Sequence, residues 1–350
     1  MISTDEPVVS ICISAYNGAR LISRALESCI NQTYRKIEIV VTDDGNDDTE
    51  IIVKEYAKRD SRIKYLKNEE RLGAADNFLK SYKAASGYFI QHLDQDEWLD
   101  LNYVKEKVSI FKKHPDVAFV AGNILSYRLD SSGNPQLVYE TKKREGFYDS
   151  EYIFNNFYRR HGEGLIGHFC MVRRLDLLEN FMSSIPNSYG YDEYYKKAKV
   201  IDALPLLCIL RNYKQMYYTT RTSCNGLFHS ANASSNFGLE ASTINDHVKS
   251  GHVDLVGFGY FYKKYAPSLF YRFRVFMGAN IVVTVLLDKI TKRASGSIFD
   301  SLYIFFQDYS FKERLGVVFA FPLRFLMRSL EWQGKLLRNS FFKVRNGIKC

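Results

Sequence analysis

The chain is predicted to be an α/β protein, a mostly parallel sheet flanked by helices, with a helical and basic C-terminal extension. Three observations point there. Over the first 120 residues, short β-branched or aromatic runs alternate with longer amphipathic stretches, the rhythm of βαβ units. The strand-like runs are almost continuously apolar, as strands covered on both faces must be. The composition, 46% hydrophobic and 15% aromatic, belongs to a chain that can offset its ordering entropy by packing a core, which excludes a disordered one.

The elements follow in order. Strands are expected at Val8 to Ser14, Ile37 to Thr42, Ile63 to Lys67 and Tyr88 to Leu93. Between the first two, Ala19 to Asn31 sets Leu21, Ile22, Ala25, Leu26 and Cys29 on one helical face. A second helix, Thr49 to Lys58, follows an acidic capping-type turn at Asp47 and Asp48. After the fourth strand, the segment LDQDEWLD leads into a helix near Asn102 to Lys113 and a strand, Val117 to Ser126; Asp130 to Pro135 is a turn between two β-like runs. Residues 150 to 235 read as mixed helix and loop, with one apolar helical stretch, Ile201 to Leu210. A boundary is expected near residue 240, beyond which aromatic and basic content rise together.

Net charge is +9, and its location narrows the partners. Residues 311 to 350 carry +7 and residues 255 to 293 carry +6, so the first 254 residues stand at −2. That part has no basic face for a phosphate backbone, and a nucleic-acid partner is excluded. The six cysteines are scattered without a CxxC pair and are read as reduced thiols. The N-terminus shows no basic segment followed by an apolar stretch, and a cytoplasmic setting is expected.

The sharpest chemical signal is Asp94-Gln95-Asp96, directly after an apolar strand. Two carboxylates at the carboxyl end of a parallel strand lie where open α/β sheets bind ligands. They suit a hard cation such as Mn²⁺ or Mg²⁺, which takes oxygen ligands and keeps positions open for phosphate oxygens. Alone, the pair also fits an acidic loop at the start of the next helix. Asp43-Asp44-Gly45-Asn46 closes the second strand and puts a further acidic pair on the same rim. Its carboxylates suit a base N–H or a ribose hydroxyl, and a plain Asp-Gly turn equally. Ser14-Ala15-Tyr16-Asn17-Gly18 ends the first strand with amides and a ring that can cradle and stack a base, or simply turn the chain.

The stretches VVSICISAYNGARLISRALESCINQTYRKIEIVVTDDGNDDT and RLGAADNFLKSYKAASGYFIQHLDQDEW together resemble the inverting family 2 glycosyltransferases of the GT-A fold, over residues 7 to about 235. The resemblance implies a Rossmann-like catalytic domain over 1–240 and a UDP-sugar or dTDP-sugar donor. It matches Ser14 and Tyr16 to the strand-end residues that meet the base, Asp44 to the carboxylate that reads the pyrimidine edge, and Asp94 and Asp96 to the ribose and metal carboxylates; Asn17, beside Tyr16, joins them as a nucleotide-sugar-binding candidate. It also implies a catalytic base on a later helix. Asp202 stands there, at the start of an apolar helix, where it also fits an N-cap; Asp192 and Glu193 are the reserves. His229 resembles a histidine that approaches the metal or diphosphate in this fold. The chain departs from the pattern at Glu97, where an aspartate is frequent, and at Ile201, where an acid often precedes the base. No QxxRW is present, which favours single addition over processive synthesis.

Residues 241 to 350 read as a helical region without the ~20 apolar residues that cross a bilayer. Arg324, Arg328, Glu331, Lys335 and Arg338 form one polar stripe against Leu323, Leu326, Leu330, Leu337 and Phe341. This fits either a helix lying on an anionic membrane or one packed on its own domain. The acceptor is expected to be a surface glycan or a lipid-linked one. Two other readings stay open: a transferase acting on polyprenyl phosphate itself, and a non-catalytic subunit of a glycan assembly complex.

Overall fold

The computed structural model describes residues 6–160, 165–167, 169–184, 203–227, 263, 266–290, 302, 306 and 309–322. The chain divides into two compact units, Met1–Ser230 and Ala231–Cys350.

The first unit is built on β1 (Val9–Ala15), β2 (Ile37–Asp43), β3 (Ile63–Lys67) and β4 (Phe89–Asp94). They pair in parallel in the order β3-β2-β1-β4. Val9, Ile11, Cys12 and Ile13 of β1 are wholly buried, which is why this strand reads as an unbroken apolar run. The crossovers are α1 (Ile22–Ile30), α2 (Thr49–Arg59) and α3 (Ala74–Ala84). α1 buries Ile22, Ala25, Leu26 and Cys29, the face its spacing predicts. Register then fixes the rim: Ala15 lies level with Asp43 of β2, and Ser14 level with Asp94 of β4. Three strands therefore deliver their following loops to one edge.

Beyond β4 come β5 (Glu97–Leu99), α4 (Tyr103–Lys113), β6 (Phe119–Leu129), β7 (Pro135–Glu140) and β8 (Gly146–Asp149). They are followed by α5 (Ser150–Arg160), β9 (Met171–Arg173), α6 (Arg174–Ser184), α7 (Ala203–Leu210) and β10 (Gln215–Leu227). The sheet continues β4-β9-β6-β10-β5, with β7 on β6 and β8 on β10. β9 runs antiparallel between β4 and β6, and β10 is parallel to β6 but antiparallel to β5 and β8. The parallel pattern thus holds in the first half and gives way to a mixed sheet in the second.

Several strands differ from the sequence reading, among them the short β8 and β9, which it does not predict, and two more at the rim. β5 lies inside the acidic segment LDQDEWLD, too short to show a period. β10 is 13 residues long where mixed helix and loop is expected. Its register against β6 shifts between Thr219 and Ser223, so Thr220, Arg221 and Thr222 stand in a bulge that breaks the alternation by which a strand is recognised.

In the second unit, α8 (Pro267–Ile290) and a helix over residues 311–322, α9, are described. Among the described residues no helix is long and apolar enough to cross a membrane. The amphipathic stretch from Leu323 to Phe341 lies outside the described residues.

Candidate functional site

Three loops far apart in sequence touch one another at the carboxyl rim. Gln95, between the two aspartates of the D-x-D motif, bonds the backbone of Tyr16 twice: its Oε1 accepts the Tyr16 amide at 2.9 Å and its Nε2 donates to the Tyr16 carbonyl at 3.0 Å. A Cβ on Gly18 would lie 2.2 Å from that Gln95 Oε1, so glycine leaves the space that the glutamine fills. On the other side, the Asn17 Oδ1 accepts the Asn46 amide at 3.0 Å, and a Cβ on Gly45 would meet the Asn17 nitrogen at 2.3 Å. Asn17 itself sits at φ 50°, a left-handed conformation that asparagine tolerates better than most residues. The Gly18 amide donates to Thr49 Oγ1 and the Ala19 amide to Asp47 Oδ2, which ties the end of β1 to the start of α2.

The four rim aspartates divide by use. Asp43 is fully buried and accepts from Tyr65 Oη at 2.8 Å, Lys67 Nζ at 3.0 Å and the Gly45 amide at 2.9 Å. Asp44 is nearly buried and accepts from the Leu72 amide at 2.6 Å, the Gly73 amide at 2.8 Å and Asn68 Nδ2 at 2.9 Å. That carboxylate pins the loop between β3 and α3. Asp94, by contrast, keeps 37% of its side chain exposed at the tip of β4. His92 Nε2 lies 3.1 Å from Asp94 Oδ1, and His92 Nδ1 lies 3.2 Å from Tyr82 Oη, with the imidazole centre 4.1 Å from the Phe78 ring centre at a tilt of 33°. Tyr82 and Phe78 of α3 thus back the His92 ring that meets the carboxylate. Asp96 follows in the turn; its carbonyl accepts the Leu227 amide at 3.2 Å, so the end of β10 is bound to the motif. Glu97 Oε2 accepts the Asp94 amide at 3.2 Å, which gives this residue a role inside the turn.

Ser14 Oγ is buried at the rim and finds no hydrogen-bond partner among the described residues. Tyr16 is 44% exposed, with the Arg71 guanidinium 4.5 Å from its ring centre. Among the described residues no three His, Cys, Asp or Glu side chains gather into a metal-holding group.

The structure therefore brings Ser14, Tyr16, Asn17, Asp44, Asp94 and Asp96 to one rim. Asp202 and His229 lie outside the described residues, as do the reserves Asp192 and Glu193; α7, which begins one residue after Asp202, is buried along its length. Sequence reasoning misses Gln95, His92 and Arg71. For His92 a signal exists, since residues two apart on a strand share a face with Asp94. Nothing local marks the other two, whose partners come from distant loops.

Residues 10–181 match the family model described as "Glycosyl transferase family 2". Among curated relatives, the UDP-Glc:alpha-D-GlcNAc-diphosphoundecaprenol beta-1,3-glucosyltransferase WfgD of Escherichia coli is 38% identical over 120 residues, covering 34% of this chain and 46% of that protein. The chain spans 27 to 46% of the length of the first curated relatives it matches. Among solved structures, residues 1–349 of S. aureus TarS in complex with UDP-GlcNAc align with a TM-score of 0.52 at 13% identity, over 92% of each chain. A mannosyltransferase of Pyrobaculum calidifontis in complex with GDP-Man and Mn2+ aligns with a TM-score of 0.50 at 16% identity, over 93% of this chain and 88% of that one. These likenesses identify the fold as GT-A.

Proposed function

The chain belongs to glycosyltransferase family 2 through residues 10–181, and from that premise we propose that it moves a sugar from a UDP- or dTDP-sugar to a hydroxyl of a surface glycan or lipid-linked glycan, one residue at a time and with inversion. The observation that carries the reading is the meeting of the Tyr16, Gly45 and Gln95 loops beside the exposed Asp94 carboxylate. In this reading Tyr16 and Arg71 flank the base, the unpartnered Ser14 hydroxyl and the Asn17 region face the nucleoside, and Asp94 takes the ribose. Asp44, already holding two amides and an amide side chain, serves the base edge with its remaining acceptor capacity.

A divalent cation, Mn²⁺ or Mg²⁺, completes the proposal. Two carboxylates on one rim fit such an ion, which would keep positions open for waters and the donor's phosphate oxygens; among the described residues no closed protein cage gathers. Asp96 and Asp94 would hold it, with His229 a weaker third, and when bound it would stabilise charge on the departing diphosphate. The neighbour solved with GDP-Man and Mn2+ supports this use of the fold. Asp202 is proposed as the base that takes the acceptor proton while the oxygen attacks the anomeric carbon. An aspartate with an ordinary pKa of about 3.9 is ionised at neutral pH and ready for that role. The diphosphoundecaprenol acceptor named for WfgD supports a lipid-linked acceptor, and the inner face of a membrane is the proposed place of meeting.

The test is a thermal-shift panel of UDP, dTDP and GDP sugars with and without Mn²⁺, since a ligand at 100 times its Kd adds about 2.7 kcal/mol to the native state. A metal-dependent shift is expected for one pyrimidine donor, lost in Asp96→Asn. Asp202→Asn should retain the shift and lose transfer. If no nucleotide sugar stabilises the protein, the proposal is wrong; if transfer survives Asp202→Asn, Asp202 is not the base, and transfer that also survives Asp192→Asn and Glu193→Gln points to a phosphate acceptor that needs no deprotonation.

A further inference from the structure

The two most exposed large apolar side chains among the described residues lie on the same helix. On α9, Phe311 is 82% exposed, Phe319 75%, Val318 65% and Leu315 45%. At about 100° per residue these four fall in one sector, with exposed Lys312 on one border and exposed Arg314 on the other. Glu313 and Val317, on the opposite side, are buried.

The buried side is pinned to α8, so the opposite face of α9 is the exposed one. Arg274 of α8 lies 2.7 Å from Glu313, with both side chains mostly covered. A Cβ on Gly278 of α8 would come within 2.6 Å of Val317 Cγ2, and one on Gly316 within 2.6 Å of Tyr271 Oη, so the helices approach through their glycines. Tyr309 Oη donates to the Arg274 carbonyl at 2.9 Å, anchoring the segment just before α9.

We infer that the Phe311–Leu315–Val318–Phe319 face of α9 inserts into the headgroup region of an anionic lipid bilayer, with Lys312 and Arg314 meeting the lipid charge. An apolar stripe bordered by cations is the pattern of a helix lying in a membrane interface. Charge favours a lipid surface over a second copy of the chain: residues 231–350 hold 17 lysines and arginines against 8 acidic residues, which is the whole net +9, while residues 1–230 are neutral. Two such basic units would repel each other, whereas an anionic leaflet attracts each one. The inference rests on the transferase reading only for its purpose, to bring the enzyme to a lipid-linked acceptor.

The experiment is co-sedimentation of the full chain with vesicles of phosphatidylcholine, alone or mixed with phosphatidylglycerol. Binding is expected only to the anionic vesicles, weakened by salt and by Lys312→Glu. Phe311→Ser with Phe319→Ser should lower the partition constant about tenfold for each ring removed. The thermal midpoint and any donor-induced shift should stay unchanged, which shows that the variant is folded and separates this inference from the donor chemistry. Absence of wild-type binding to anionic vesicles overturns the proposal, as does equal binding by the double variant. So does a wild-type dimer in sedimentation velocity that the double variant dissolves, because a second copy then covers the face.

Discussion

Replacing Gly45 by alanine tests whether the three rim loops form one fitted unit. The added Cβ would lie 2.3 Å from the Asn17 backbone nitrogen and 2.7 Å from its Oδ1, where ordinary contact begins at 3.4 Å. The Asn17 and Gly45 loops must then part by 3.4 − 2.3 = 1.1 Å, and the first obstacle is backbone, which cannot rotate away. Overpacking of this kind costs about 1–3 kcal/mol. At about 2–4 °C per kcal/mol in a domain of this size, the midpoint should fall by roughly 2–12 °C. The effect on function should be the larger one, because a displacement of about 1 Å at a binding edge costs on the order of 100-fold. The assay pairs a melting curve with donor titration by calorimetry. Gly133→Ala serves as control: it sits at φ +81° with nothing within 4 Å, so it carries only local backbone strain and leaves donor affinity untouched. Donor affinity within twofold of wild type in Gly45→Ala, whatever the change in midpoint, would refute the idea that these loops jointly shape the site.

Two further outcomes follow. His92→Phe keeps a ring against Phe78 but loses the contacts to Asp94 and Tyr82; metal-dependent nucleotide affinity should drop about 10–100-fold, the range for groups that orient metal ligands, and a calorimetric titration showing less than a twofold loss rules the positioning role out. Lys107 is fully buried in α4, with its Nζ 3.2 Å from Gln91 Oε1 and 2.5 Å from Tyr103 Oη, and burial pushes its pKa down to about 7. The unfolded chain still binds this proton up to about pH 10.4, so from pH 7 toward 10 the unfolded state holds more protons and stability rises with pH, by at most about 1.4 kcal/mol per unit. Lys107→Met should flatten that rise, read as the wild-type minus variant midpoint between pH 7 and pH 9; a difference constant with pH would show that Lys107 keeps its proton in the folded protein.

The sequence exposes those parts of the fold whose signal is local. β1 to β4 and the buried face of α1 follow from apolar runs and helical spacing, and each is found within a residue or two of its expected place, apart from the first turn of α1. β10 escapes because its bulge at Thr220 to Thr222 interrupts the period, and because Arg221 turns aside to Glu106 and Glu145 rather than alternating with the strand. β5 escapes because its three residues sit between carboxylates that read as loop. The site divides in the same way. Asp94 and Asp96 announce themselves at a strand end, but the bonds of Gln95 to Tyr16 bridge 79 residues and depend on β1 lying beside β4. A pairing of that kind exists only once the sheet is assembled.

That assembly also settles how one edge tolerates so many acids. Asp43, Asp44, Asp94 and Asp96 would repel one another if all four faced the same water-filled cleft, since like charges about 4–6 Å apart disfavour ionisation. The fold removes the first two from that contest. Asp43 is matched by Lys67 and by the Tyr65 hydroxyl, and Asp44 by three N–H donors, so their charge is spent holding β2 to β3 and the following loop. Asp94 keeps an exposed face, with the His92 imidazole 3.1 Å from its Oδ1. In the proposed function that contact orients the carboxylate, as hydrogen-bonded partners of metal-holding carboxylates do. There the second acidic pair is the one offered to a metal and a diphosphate, while the first chiefly builds the ledge, Asp44 keeping acceptor capacity for the base edge.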